Sequence, residues 1–141
     1  MPHIVMTEGE FAGWSHWPDD TFEAEQAGPF FFRQGDEGVE CAFRVAPRHL
    51  NGQGNVHGGC LMTFADFALF AIAGEALADS SGVTVSFTSE FLSGATQGAL
   101  VEARGEVLRA GGSMIFVRGL VTADGTACMN FSGTIKRLRR T

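Results

Sequence analysis

Residues 51–74 read NGQGNVHGGCLMTFADFALFAIAG, and the fold follows from this stretch. From Gly58 onward it holds no proline and few β-branched residues, and it is apolar on nearly every side. Such a run predicts a buried helix, here from His57 to about Ala78, stopped by Ser80, Ser81 and Gly82. The residues before it, with Asn51, Gly52, Gly54 and Asn55, predict a loop. The apolar run 58–74 is near the lower limit of the roughly 17–25 residues needed to cross a bilayer. Asp66 near its centre would cost about 2.5–3.5 kcal/mol in lipid. No membrane partner is expected.

Strand patterns flank the helix on both sides. Gly28 to Gln34 contains Phe30, Phe31 and Phe32 and reads as a short strand, with Asp36-Glu37-Gly38 as a turn. Val39, Cys41, Phe43 and Val45 then alternate with Glu40, Ala42, Arg44 and Ala46, the period of a half-buried strand, and Pro47 ends it. Beyond the helix, Val83, Val85, Phe87 and Phe91 alternate with polar residues, as do Val101, Ala103, Gly105 and Val107. Gly111-Gly112 and Asp124-Gly125 are hairpin turns that separate strands over 113–122 and 126–137. The order is β-β-α-β-β-β-β: one long helix against a long antiparallel sheet, an α+β layer architecture.

The chain of 141 residues is 45% hydrophobic with a net charge of −6, which fits one domain with its own core and excludes disorder. Residues 28–141 form that domain. Residues 1–27 are an acidic extension, read as a short helix or loop packed on it through Trp14, Trp17 and Phe22. Nine acids and a single cation, Arg33, lie between Glu8 and Glu40. That balance argues against a nucleic-acid partner, which needs a broad basic face. Cys41, Cys60 and Cys128 are odd in number and far apart, so they read as free thiols of a reducing compartment. Met1 to Glu10 carries no secretory pattern, so a cytoplasmic protein is expected.

Asp66 needs a physical explanation. A carboxylate among Met62, Thr63, Phe67, Leu69 and Phe70 must be hydrogen-bonded or hold its proton unusually tightly. A structural Asp would satisfy that; so would a working one. The glycines at the helix start leave backbone N–H groups uncovered, and these can stabilise negative charge on an oxygen. Gly58 and Asp66 are eight residues apart, about 12 Å along a helix axis. A reacting group needs both within about 3 Å. If both act on one substrate, they come from two chains around a two-fold axis.

Other chemistries fit less well. There is no G-x-S-x-G elbow and no phosphate-binding G-x-x-x-x-G-K-[ST]. Gly52-Gln53-Gly54 lacks the second βα unit that a dinucleotide site needs. His57 and Cys60 stand three apart, but His3, His16 and His49 show no metal-ligand spacing, so no metal is expected.

The segment N-G-Q-G-N-V-H-G-G-C-L-M-T-F-A-D resembles the N-x-x-G-x-x-H-G-G-x-x-x-x-x-x-D signature of hot-dog-fold acyl-CoA thioesterases, in particular the phenylacetate-degradation (PaaI) type. The resemblance covers about residues 28–137. It implies a hot-dog fold, a homodimer with a continuous sheet, sometimes paired again into a tetramer, and acyl-CoA as substrate without a further cofactor. It implies that Asp66 attacks the thioester or activates a water, and that the Gly58 N–H polarises the thioester oxygen. Asn51 and His57 would hold the acyl end or the water, and Thr84 would assist the water. Arg109, Gly111, Gly112 and the tail cations Lys136, Arg137, Arg139 and Arg140 are candidates for the coenzyme A phosphates. The aromatic residues around Asp66 suit a small to medium, apolar or aromatic acyl group. A hot-dog hydratase or dehydratase, and a non-catalytic acyl-CoA-binding regulator, are the alternatives. The H-G-G-x6-D spacing favours hydrolysis over the first. The short acidic extension speaks against the DNA-binding helix-turn-helix of the second.

Overall fold

A computed structural model describes residues 1–138. The alternating segments form one antiparallel sheet. Its strands are β1 (Ile4–Val5), β2 (Ser15–His16), β3 (Phe31–Gly35), β4 (Gly38–Arg44), β5 (Ser81–Phe91), β6 (Leu100–Ala110), β7 (Met114–Ala123) and β8 (Thr126–Leu138). They lie in the order β1-β2-β3-β4-β6-β7-β8-β5. The long helix α1 (Gly58–Ile72) packs against β4, β5, β6, β7 and β8, so the sheet curls around it. This is the hot-dog arrangement, and among the described residues β5 is an edge strand with β8 as its one neighbour.

The core is where period-two strands meet the all-round apolar helix. Ile115, Val117 and Val121 of β7 and Met129, Phe131 and Ile135 of β8 face inward and are buried. From α1 they meet Leu61, Phe64, Ala65, Ala68 and Leu69, all buried. Phe64 packs edge-on against Phe30 and Phe43 at ring-centroid distances of 5.2 and 4.9 Å. Geometry of this kind adds about 0.5–1.5 kcal/mol per pair to the burial of the rings. No helix among the described residues is long and apolar enough to cross a membrane.

Two glycines let the sheet close on the far end of α1. Gly105 and Gly119 face each other across β6 and β7. A Cβ on Gly119 would come 2.5 Å from the Arg104 carbonyl oxygen and 2.3 Å from the Phe131 ring. The carbonyl belongs to the paired strand and cannot swing away. Gly119→Ala should therefore destabilise the chain by about 1–3 kcal/mol, read as a lowered urea midpoint.

The structure corrects the reading in four places. The helix stops at Ile72, and a separate turn, α2 (Gly74–Leu77), follows. Gly74 favours the interruption, since glycine weakens a helix interior. Ser81 and Gly82 start β5 instead of ending the helix. The extension holds the short helical turn expected of it, but it is more than a helix or a loop. It adds β1 and β2 to the sheet edge and then makes a single wide turn, Phe22–Ala27, closed by the Gly28 N–H donating to the Glu23 carbonyl at 2.7 Å. Trp14 is buried with Phe31 and Ala42, and Trp17 stacks on Phe32, but Phe22 is exposed and anchors nothing inside.

Candidate active site

The start of α1 is built by local hydrogen bonds. His57 caps the helix, its Nδ1 accepting the Gly59 N–H at 2.9 Å. The ring proton is thereby assigned to Nε2, which faces outward on an exposed side chain. Asn51 uses its Oδ1 to accept the N–H groups of Gln53 (2.9 Å) and Asn55 (3.2 Å), so this side chain shapes the loop into the helix. Among the described residues the Gly58 N–H meets no acceptor. It is a free donor at the positive end of the helix dipole.

Asp66 sits two turns further on, half-buried. Thr84 of β5 donates its hydroxyl to Asp66 Oδ1 at 2.6 Å. Burial raises the Asp66 carboxyl above the ordinary Asp range, the Thr84 hydroxyl pulls it partly back, and the charge of Asp20 pushes it up again. Both readings of Asp66 made from sequence thus hold at once: it is hydrogen-bonded, and it keeps its proton more tightly than usual. Asp66 opens on a cavity of about 410 Å³ lined also by Asp20, Phe22, Glu23, Met62, Thr63 and Phe87. Phe22, Met62 and Phe87 give the cavity its apolar surface, and Asp20, Glu23 and Asp66 bring carboxyl groups to it.

Gly58 and Asp66 lie on one uninterrupted helix, so their separation is the roughly 12 Å expected from its rise. The structure does not bring them together in one chain. It does run β5 antiparallel to α1. Thr84, near one end of β5, touches Asp66, and Phe91 at the other end stands where a Cβ on Gly58 would be 3.2 Å from its ring. His57, Gly59 and Thr63 line a neighbouring cavity of about 440 Å³ with Phe22, Gln26, Arg48 and Cys60. Phe22 and Thr63 border both cavities, so the two form adjoining parts of one groove along α1.

The positions named for coenzyme A phosphates are elsewhere. Lys136 pairs with Val83 and Met114, one step out of phase with the inward Thr84–Ile135–Ile115 row. It therefore projects from the face away from α1. Arg109 lies opposite the exposed Phe116 after a bulge in β6, on the same outer face. Gly111 and Gly112 turn the hairpin between β6 and β7 beside them. Arg137 is occupied: it donates to the carbonyls of Gly111 (3.1 Å) and Ala76 (2.6 Å). Arg139 and Arg140 lie outside the described residues.

Sequence reading missed Asp20, Glu23 and Arg48 at this groove. Asp20 and Glu23 come from the extension and line the Asp66 cavity. Arg48 donates to the Gly28 carbonyl and leaves a cation at the helix start. Cys60 is no nucleophile, since burial pushes its thiol up to about 11. Among the described residues no group of His, Cys, Asp or Glu side chains is arranged to hold a metal ion. His49 is structural, with Nδ1 accepting the Ala46 N–H at 2.9 Å and Nε2 bonding the Ala27 carbonyl at 2.8 Å.

Comparison with known proteins bears on the family and the fold. A Schizosaccharomyces pombe protein named as an esterase is 35% identical over 80 residues, which are 55% of this chain and 49% of that protein. The chain thus spans about half the length of that relative. A mutant of the phenylacetic acid degradation protein PaaI from Thermus thermophilus is 28% identical, covers 82% of this chain and 97% of its own, and superposes with a TM-score of 0.70. A thioesterase-named protein from Streptococcus pneumoniae, crystallised with coenzyme A, shares the fold: TM-score 0.75, 22% identity, 88% of this chain and 98% of its own. Residues 53–129, from the loop before the helix through most of the sheet, match the Thioesterase superfamily, and the chain belongs to that family.

Proposed function

We propose that this chain hydrolyses acyl-CoA thioesters to the free acid and coenzyme A, with Asp66 as the reacting carboxylate. The observation that carries this reading is Asp66 itself: a carboxylate in mid-helix, opening on a cavity lined in part by Phe22, Met62 and Phe87, and oriented by Thr84. Raised basicity suits it to take a proton from water attacking the thioester carbon. The C–O bond forms, the carbonyl oxygen becomes negative, and a backbone N–H stabilises it. The C–S bond then breaks. A thiol near the Cys range of about 8.5 leaves as thiolate without strong general-acid help. Asp66, water and a backbone donor suffice, so no cofactor is needed. Direct attack by Asp66 on the thioester is the other route by which this carboxylate would act.

The complete site takes a second copy of the chain. The exposed edge of β5 carries Val83, Val85 and Phe91, each about half exposed. An open apolar edge of this length invites pairing. Because β5 runs from Asp66 to Gly58, antiparallel pairing of two β5 edges carries one copy's Asp66 toward the other's Gly58. This supports a homodimer with two composite sites, and a dimer of dimers would leave both sites intact. Phe22, Met62 and Phe87 would receive a small to medium acyl group, aromatic ones included. His57 borders the same groove, and Asn51 would act by shaping the loop that leads into it. Three free thiols fit a reducing, cytoplasmic setting.

A panel of acyl-CoAs scored by thiol release tests the reading; no turnover with any member would overturn it. Thr84→Ala refines the test. A hydrogen bond to a charged group contributes about 1.5–3 kcal/mol, so kcat should fall roughly 10- to 100-fold. Thr84 lowers the Asp66 titration, so its loss raises it further. The acidic limb of the pH–rate profile should move to higher pH.

A further inference from the structure

The N-terminal extension puts a second carboxyl group beside Asp66. The wide turn Phe22–Ala27 packs on α1 and sets Glu23 in the wall of the Asp66 cavity. Glu23 is anchored through its own N–H, which donates to Asp20 Oδ1 at 3.3 Å. Its Oε2 is shut off from solvent and has no hydrogen-bond partner among the described residues. On its other side Glu23 closes a small pocket with His16, Trp17, Phe30 and Phe67. Asp20 faces it from its own segment, Asp66 from α1 and His16 from β2. Arg48, the cation nearest along the groove, lines the other cavity and is turned to Gly28.

Building on the proposed hydrolysis, we propose that Glu23 is a positioning residue of this site: it stays a neutral carboxylic acid beside ionised Asp66 and holds the cavity at one fewer negative charge while the thioester oxygen becomes anionic. As Asp66 takes the proton of the attacking water, its negative charge passes to the thioester oxygen, and an ionised Glu23 in the same partly buried cavity would oppose that charge on the oxygen. A neutral Glu23 removes that repulsion and leaves Asp66 as the base. The order of ionisation agrees. Burial foremost, then the hydrogen bond and charge of Asp20 and the charge of Asp66, push Glu23 up to about 9. Asp66 ionises first, so Glu23 loses its proton against that charge, whereas Asp66 loses its own beside a neutral neighbour. Paired titratable groups with separated titrations are a common way to divide acid and base roles.

The pH dependence of kcat/KM tests this. With Glu23 titrating at about 9, the wild-type value should fall about tenfold between roughly pH 7.5 and roughly pH 10, after subtraction of uncatalysed hydrolysis. Glu23→Gln cannot ionise, and its profile should lose that alkaline limb. An alkaline limb of the same depth and midpoint in Glu23→Gln overturns the proposal. If that variant does not fold, carbon-13 NMR of glutamate-labelled wild-type protein decides: a Glu23 carboxyl that has ionised below about pH 6 overturns it equally. Asp66→Asn separates the two claims. An inactive Asp66→Asn with an unchanged Glu23→Gln profile removes the role of Glu23 and keeps the hydrolysis. An active Asp66→Asn removes the hydrolytic site itself.

Discussion

Asp66→Asn should lower kcat for acyl-CoA hydrolysis by about 10²–10⁴-fold, the usual contribution of a positioned general base. The exchange keeps size and shape. An Asn Oδ1 can still accept the Thr84 hydroxyl, so the local geometry survives. Stability moves the other way. The folded chain holds the Asp66 proton more tightly than the unfolded chain does. Its stabilising effect is therefore full below the unfolded value near 3.9 and is lost as pH rises through the raised native value. Asn suffers no such loss. At pH about 7 the variant should melt at the same temperature as wild type or higher, while thiol release is nearly abolished. Turnover close to wild type would remove Asp66 from the chemistry. Joint loss of melting temperature and activity would make it a structural carboxylate.

The part of this site carried by α1 was legible because it depends on spacing along one helix. Once residues 58 to 72 are helical, the distance from Gly58 to Asp66 follows from the rise, and with it the condition that one substrate reached by both would need a second chain. Glu23 was not legible. It is one of nine acids in a segment without period, and its place beside Asp66 depends on a turn that folds back across 43 positions of chain. The strands β1 and β2 are two residues each, too short to leave an alternation. Phe22 was read as an anchor from its chemistry, but the wide turn directs it outward. Arg109 and Lys136 show a different limit. Their nearness to a hairpin is visible in sequence, while the face they occupy is fixed by strand register and, for Arg109, by the bulge after Val107. Register belongs to the folded sheet, and a shift of one residue reverses every side chain.

Mixing two inactive variants should restore activity if the site spans two chains. The first is Asp66→Asn. The second must remove the Gly58 donor and nothing else, and proline does this. Gly58 is the first helical residue, where proline fits and no intrahelical N–H bond is lost. His57 before it has ψ of 132°, the extended conformation that a following proline requires. A Cβ at this position meets the ring of Phe91 at 3.2 Å, an exposed side chain. Loss of one oxyanion donor should lower kcat in Gly58→Pro by about 10²–10³-fold. In a heterodimer of the two variants, one site combines both lesions and is dead. The other joins an intact Asp66 to an intact Gly58. After unfolding and refolding an equal mixture, random pairing makes half of the dimers mixed, each with one sound site, so about a quarter of wild-type activity should return. Against parents at about 1% or less, that is a rise of at least about 25-fold. The rise should require subunit exchange and be missing when the folded parents are mixed for a time too short for it. If both sites lay within single chains, each heterodimer site would keep one lesion and the refolded mixture would stay at the parental level. That outcome would exclude the two-chain site even if each variant alone behaves as expected, because both single-variant results are also compatible with a site inside one chain.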